Sequence, residues 1–285
     1  EKKKIKFIST QHGINREINL TCDEGMCTWE NGISDLLFVN NNESKIVSEK
    51  SPFAKGFCKV IGTAKQLYAK NKFDFPYGKK EVYYVSTRLS ISNKMMLAGH
   101  LVDYEKTAQE LKLIKNVFQK INKKIIFKTY PTEPLYLEKD PVYEEVSKSK
   151  NLKLLATYKD IQKYFKKMNL IITSRATSTL SWCLFSNVPL IFIDYPNQSM
   201  LKEKLVDEFK NSLFYFNSSK KTFFRDLRIF LNKLIQNIYQ IWIDKEVSRN
   251  NLINQYFSQN QKEEAGEIAS NFLLQENFFK KIDNR

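Results

Sequence analysis

Between Ser174 and Thr179 the chain reads SRATST, a short polar stretch that sets hydroxyls on Ser174, Thr177, Ser178 and Thr179 beside the guanidinium of Arg175. Hydroxyls, one fixed cation and the free amides of a following helix start suit an anion, a phosphate above all. Ser and Thr at a helix start also serve as plain caps. Arg175 is the discriminating residue, because a cap needs no cation. Three further residues reach toward the same kind of edge. Lys128 and Tyr130 close the run KIIFKTY, and Arg88 follows EVYYVS, although a surface arginine is equally an ordinary solvated residue. His12, in the turn Gln11-His12-Gly13 after KIKFIST, is one of only two histidines. A histidine at a strand end could move protons, but a lone loop histidine is more often an ordinary polar residue.

These side chains need a scaffold, and the apolar runs supply one. LIIT (170–173) and PLIFID (189–194) are short, largely β-branched runs that flank the packed segment LSWCLFS, so strand, turn, helix and strand form a βαβ unit. In parallel sheets of this kind ligands bind outside the carboxyl ends of the strands. The same rhythm recurs in SDLLFVN (34–40), FCKVIG (57–62), EVYYVS (81–86) and Leu152–Thr157, with a short helix or turn over Glu43–Ser51. Leu111, Ile114, Phe118 and Ile121 mark an amphipathic helix within Tyr104–Asn122. Helices are also expected at Thr63–Lys70, Asp160–Met168 and Gln198–Lys210, with a long one over Lys220–Ile243 and a helical tail over Lys245–Phe279. Asn15 to Asn31 lacks periodicity and reads as a long polar loop.

The chain has 285 residues, with 46 Lys and Arg against 31 Asp and Glu, for a formal charge of +15. Such a surface favours anionic partners: nucleic acid, an anionic membrane face or phosphorylated substrates. No run is long and apolar enough to span a bilayer. The four cysteines, Cys22, Cys27, Cys58 and Cys183, lack C-x-x-C spacing and argue against zinc and for a reduced, cytosolic setting. G-x-G-x-x-G, the Walker loop, G-x-S-x-G, H-E-x-x-H and a D-x-D pair are all missing. Binding by hydroxyls, amides and cations without a metal or cofactor is therefore expected.

Six landmarks in order carry a resemblance: QHG at 11–13, SDLLFV at 34–39, KVIG at 59–62, YYVSTR at 83–88, IFKTYP at 126–131 and LIITSRATST at 170–179. Together they resemble the GT-B glycosyltransferases, in particular bacterial surface-carbohydrate biosynthesis proteins related to CDP-glycerol glycerophosphotransferases and to CMP-Kdo and CMP-sialate capsule transferases. The resemblance implies an α/β, GT-B-like fold of Rossmann-type parallel sheets with a helical C-terminal tail. It divides the chain into residues 1–75, the remainder of an incomplete acceptor-side domain, residues 76–235, a nucleotide-donor domain, and the tail 236–285.

The same resemblance implies His12 as general base, Arg88, Lys128, Arg175, Ser178 and Thr179 as donor-phosphate ligands, and Tyr158 near the nucleobase. Tyr130 stands where relatives carry the histidine of a K-x-H-P strand end. Ser181 and Trp182 stand where an acidic residue often follows the donor loop, so ribose recognition should differ. The implied activity moves a group from a nucleotide-activated donor, CMP- or CDP-linked, to a glycan or lipid-linked acceptor of the cell surface. That would take place in the cytoplasm, at the inner face of an anionic membrane. A catalytically silent assembly subunit and a basic nucleic-acid-binding protein are the rival expectations, the latter without a recognisable nucleic-acid motif.

Overall fold

A computed structural model of the chain describes residues 6–14, 16–20, 28–64, 81–86, 103–130, 140–174, 176–196, 201–233, 238–259 and 264–275. The chain divides into two compact units, one of Glu1–Tyr68 with Asn250–Arg285, the other of Ala69–Arg249.

The first unit holds a three-stranded parallel sheet in sequence order, β1 (Ile8–Thr10), β2 (Leu36–Val39) and β3 (Phe57–Val60). Strand β2, LLFV, is buried along its whole length because a central parallel strand is covered on both faces. Its alternation splits the core. Leu36 and Phe38 pack with Phe57 and Ile61 on one face, while Leu37 and Val39 pack with Cys58 and Val60 on the other. Between β2 and β3 runs helix α1 (Asn42–Lys50), whose N-cap Asn41 accepts from the Ser44 amide at 2.8 Å. At Gly56 a Cβ would collide with the backbone carbonyls of Ser34 and Asp35, so only glycine fits this entry to β3.

The expected polar loop of 15–31 is not loose in its described part. Ile14, Arg16, Glu17, Ile18 and Asn19 are all buried. Arg16 enters the interior because Glu30 pairs with its guanidinium and Ser48 accepts from it at 2.7 Å. Of the helix expected over Thr63–Lys70, only residues 63 and 64 are described, and they are not helical; residues 65–70 lie outside the described residues. Gly62 has φ 78, and the Thr63 amide donates to Ser258 Oγ at 3.0 Å.

The second unit carries a six-stranded parallel sheet in the order β6-β5-β4-β7-β8-β9. Its members are β4 (Glu81–Val85), β5 (Ile125–Lys128), β6 (Leu152–Leu155), β7 (Met168–Thr173), β8 (Leu190–Asp194) and β9 (Phe214–Asn217). Successive strands run outward from β4 on one side and then from β7 on the other. The carboxyl ends of β4, β5 and β7 thus face a topological switch point, where parallel sheets leave a crevice. Helices α2 (Asp103–Asn116), α3 (Pro141–Lys148), α4 (Ser178–Phe185), α5 (Val206–Ser212), α6 (Phe223–Lys233) and α7 (Ile238–Asp244) make the crossovers and the flank. The β5, β7 and β8 runs are buried at almost every position, as expected of strands covered on both faces.

Residues 161–167 form a 3-10 turn rather than an α-helix, and Met168 already belongs to β7. Of the expected long helix 220–243, the described part holds α6, which starts at Phe223, and α7, while residues 234–237 lie outside the described residues. Of the segment expected to be helical from 198 to 210, residues 198–200 lie outside the described residues, and a 3-10 turn at Glu203–Leu205 leads into α5. Helix α6 still shows its apolar stripe, with Phe223, Leu227 and Leu231 buried at i, i+4 and i+8. Trp242 of α7 is 1% exposed; its Nε1 donates to the Asn187 carbonyl at 3.1 Å, and Arg249 stacks on its ring at 3.8 Å.

The tail returns to the first unit. After α8 (Glu246–Leu252) a π turn spans Ile253–Phe257, the helix stops at Ser258, and α9 (Ala265–Leu274) follows. Phe272 of α9 sets its ring edge on Phe38 and Phe57, with centroids 6.4 and 6.1 Å apart, which closes one face of the first sheet.

Candidate functional site

At the switch point of the second sheet lies a cavity of about 250 Å3. Its walls come from four places: Val85 and Ser86 at the end of β4, Lys128 to Tyr130 at the end of β5, Asp160 to Gln162 in the connection after β6, and Ser178, Thr179 and Trp182 in the first turns of α4. All four lie on the carboxyl side of the strands, so the parallel sheet itself aims them into one crevice.

Lys128 dominates its electrostatics. The side chain is 1% exposed, and among the described residues its ammonium donates only to the Thr129 carbonyl, at 2.7 Å. An ammonium offers three donors, and a buried one is costly unless paired. Burial accordingly pulls the Lys128 pKa below the ordinary lysine value, with the Asp160 carboxylate acting in the opposite direction.

Helix α4 contributes the second positive feature. Thr177 is its N-cap residue in extended backbone, yet the threonine side chain makes no capping hydrogen bond. Ser178 and Thr179 turn to the cavity wall at the helix start, where the dipole and unpaired amides favour negative charge. Behind this wall sits a buried polar cluster. Glu110 of α2 accepts from Tyr84 Oη at 3.1 Å and from Ser86 Oγ at 2.6 Å, and Lys106 Nζ reaches Ser86 Oγ at 3.4 Å. Burial raises the pKa of the Tyr84 phenol well above its ordinary value, so it stays a donor.

Of the residues singled out in the sequence, Lys128, Tyr130, Ser178 and Thr179 meet around the cavity. Ser174 is buried and hydrogen-bonds Tyr84 behind the wall. Tyr158 is 69% exposed and is not part of the lining. Arg88 and Arg175 lie outside the described residues. His12 belongs to the first unit, where it is exposed and its backbone amide donates to Glu30 Oε1 at 2.8 Å. Among the described residues no group of three or more His, Cys, Asp or Glu could hold a metal ion, and no helix is long and apolar enough to cross a membrane.

No protein-family model and no curated protein matches the sequence. Solved structures do match. Anabaena HepE, solved in complex with UDP and glucose, aligns with a TM-score of 0.51 and 13% identity over 94% of this chain and 71% of its own. A glycosyltransferase from Rickettsia africae gives 0.50 and 12% over 96% and 70%. Acinetobacter baumannii MurG gives 0.49 and 13% over 82% and 65%, so the chain spans less than two thirds of that protein.

The fold is GT-B-like. Within this GT-B-like chain the cavity also gathers residues that the sequence did not mark as binders: Ser86, Asp160, Gln162 and Trp182. One signal was available for Asp160, which follows a strand and so falls at the carboxyl edge. For Trp182, one turn into α4, and for Glu110, on a crossover helix, only the fold reveals the neighbours.

Proposed function

We propose that this chain is a nucleotide-sugar-dependent glycosyltransferase whose donor phosphate binds in the Lys128 cavity. The observation that carries this reading is the buried Lys128 ammonium, which faces a cavity beside a helix start and has one acceptor among the described residues. An anion supplied by the donor would complete its environment. The GT-B-like fold, and HepE's complex with UDP and glucose, are consistent with that use.

In the proposed reaction an acceptor hydroxyl oxygen bonds to the anomeric carbon of the donor sugar. The carbon–oxygen bond to the nucleotide phosphate breaks, and its electron pair leaves with the nucleotide. Lys128, Arg88 and Arg175, with the hydroxyls of Thr177, Ser178 and Thr179, would stabilise the charge that grows on that phosphate, and Ser174 would support the wall from behind through Tyr84. His12 would take the acceptor proton as general base. Tyr130 and Tyr158 would flank the nucleoside. A CMP- or CDP-linked donor, a surface glycan or lipid-linked acceptor, and work at the cytoplasmic face of an anionic membrane, drawn there by the net charge of +15, complete the proposal.

The test is a thermal-shift and calorimetric screen of the chain against CMP, CDP, UDP, GDP and dTDP without metal. Preferential binding to the folded state raises the melting temperature. Stabilisation by one base class that Lys128→Ala removes is expected; no shift with any of the five from folded protein overturns the donor-site reading.

A further inference from the structure

Opposite the cavity, the second sheet has another edge, where its strands begin. Lys123 and Lys124 lead into β5, Lys150 into β6, and Lys166 and Lys167 into β7, none with an ion pair to a described residue. The parallel register sets Ile125 beside Leu152, so Lys123 and Lys150 enter their strands as neighbours. Asn151 fixes this corner, its side-chain amide donating to the carbonyls of Phe118, Ile121 and Lys123. From β6 through β5 and β4 to β7 the row crosses about 15 Å. Of the carboxylates beside it, Glu81 accepts from Tyr83 Oη at 3.2 Å, and Glu145 pairs with Lys115 at 3.7 Å. A lysine in the last turn of a helix complements the dipole there, which accounts for Lys148 of α3. Lys123, Lys124 and Lys150 lie outside any helix, and that account does not reach them.

Helix α7 covers the other half of the same edge. Tyr239 Oη donates to Asn169 Oδ1 at 3.0 Å beside the start of β7, and Trp242 Nε1 reaches the Asn187 carbonyl just before β8. The Trp242 ring also lies 5.8 Å from that of Phe214, the first residue of β9. While Tyr239 and Trp242 hold the helix to the sheet, Ile241 and Ile243 are exposed on it, and Val247 follows in α8 with 73% exposure. Exposed aliphatic side chains on a helix beside a row of lysines suit a lipid interface. The cations meet headgroup phosphates, and the aliphatics enter the boundary between headgroups and acyl chains. Asp244 and Glu246 on the same stretch keep the helix at that depth. Nucleic acid fits less well, since the edge presents no exposed aromatic ring among the described residues on which a base could stack. Its exposed cations are lysines, which offer point charges rather than forked bonds.

We propose that this amino edge of the second sheet docks on an anionic lipid bilayer, with the lysines before β5, β6 and β7 against headgroup phosphates and Ile241, Ile243 and Val247 in the interface. The proposal rests on the membrane part of the reading above and on none of its donor chemistry. It also sets a distance. Strand β7 is six residues long, so the cavity at its carboxyl end stands about 20 Å from the lipid, within reach of a water-soluble donor.

The experiment measures co-sedimentation of the full chain with vesicles of mixed phosphatidylglycerol and phosphatidylcholine, and of phosphatidylcholine alone. One variant combines Lys124→Gln, Lys150→Gln and Lys167→Gln. A control combines Lys204→Gln, Lys220→Gln and Lys221→Gln, which removes the same charge from the connections after β8 and β9. A third combines Ile241→Ser and Val247→Ser. All these positions are exposed, and each variant is checked for an unchanged melting temperature. The wild type should bind the anionic vesicles, ignore the neutral ones and weaken as salt rises. The edge variant should lose about a hundredfold, the scale of three lysines at a charged surface, and the control far less. The aliphatic pair should cost about tenfold at low and high salt alike. Equal losses in the two lysine variants would show net charge acting alone and overturn the edge. An unchanged aliphatic pair overturns the insertion of α7. Vesicle binding kept by the edge variant, with affinity for a single-stranded RNA lost, assigns the lysines to nucleic acid and overturns the lipid contact. If the wild type ignores anionic vesicles, the edge and the membrane part of the reading fall together, while the nucleotide screen judges the donor site separately.

Discussion

Gln11 Nε2 donates to Glu17 Oε1 at 2.5 Å inside the first unit, while Glu17 Oε2 is buried without a hydrogen-bond partner among the described residues. Desolvation outweighs the Gln11 bond and the nearby Arg16 charge, and the Glu17 pKa lies above the ordinary carboxylate value. For an acid whose pKa is raised on folding, the folded state holds more protons than the unfolded one. The resulting stability is present below the unfolded pKa and is lost as pH rises through the folded one. The first unit should therefore weaken as pH rises from about 4.5 toward neutrality. Glu17→Gln keeps an acceptor for Gln11 and Asn41 and removes the titration. Its melting curves should show a flatter pH slope and a stability gain of about 1 kcal/mol at pH 8.

Lys128 carries the opposite kind of shift. Its depressed pKa means that the ammonium loses its proton at a lower pH than an exposed lysine does. Affinity for pyrophosphate or a nucleoside diphosphate should fall as pH rises through that pKa, below the usual value of 10.5. The sign is fixed by the charged form being the one that binds. Calorimetry across pH 7 to 10 would follow it. Lys128→Arg should flatten the profile because arginine stays charged throughout, and Lys128→Ala should cost roughly tenfold to a hundredfold at pH 7, the worth of a charge-assisted hydrogen bond.

Trp242 ties α7 to the turn after α4. Asn187 adopts φ 54, a left-handed conformation that asparagine tolerates, and offers its carbonyl to the indole at 3.1 Å. Trp242→Ala should destabilise the second unit by about 3–5 kcal/mol. Trp242→Phe keeps much of the packing and leaves the hydrogen bond unmade, at a cost of about 1 kcal/mol. Urea denaturation of the two variants separates the contributions.

Much of the second sheet can be read in the chain itself. IIFK, LIIT and LIFID are apolar at nearly every position, and their burial follows from being covered on both faces. Because strand carboxyl ends face one crevice, Lys128, Tyr130, Ser178 and Thr179 could be placed together from their positions alone. Strand order could not, since any of the apolar runs could neighbour any other. Arg16 and Glu17 were misleading for a physical reason. Charged residues mark solvent unless partners distant in sequence, here Glu30, Ser48 and Asn41, meet them in the interior. The helical character of the tail was equally visible, but nothing in its sequence says which sheet α9 covers.

Asn41 Nδ2 donates to the Tyr256 carbonyl at 2.9 Å, across 215 positions of sequence. Together with Phe272 against Phe38, it makes the first unit depend on both flanks of the chain. During synthesis the strands of that unit leave the ribosome before the second unit, but the helix that closes one face of their sheet leaves after it. The second unit, contiguous from Ala69 to Arg249, has all of its residues in hand earlier. The order of maturation is thereby reversed relative to the order of translation, and the nascent β2 must be kept from strangers until α9 arrives.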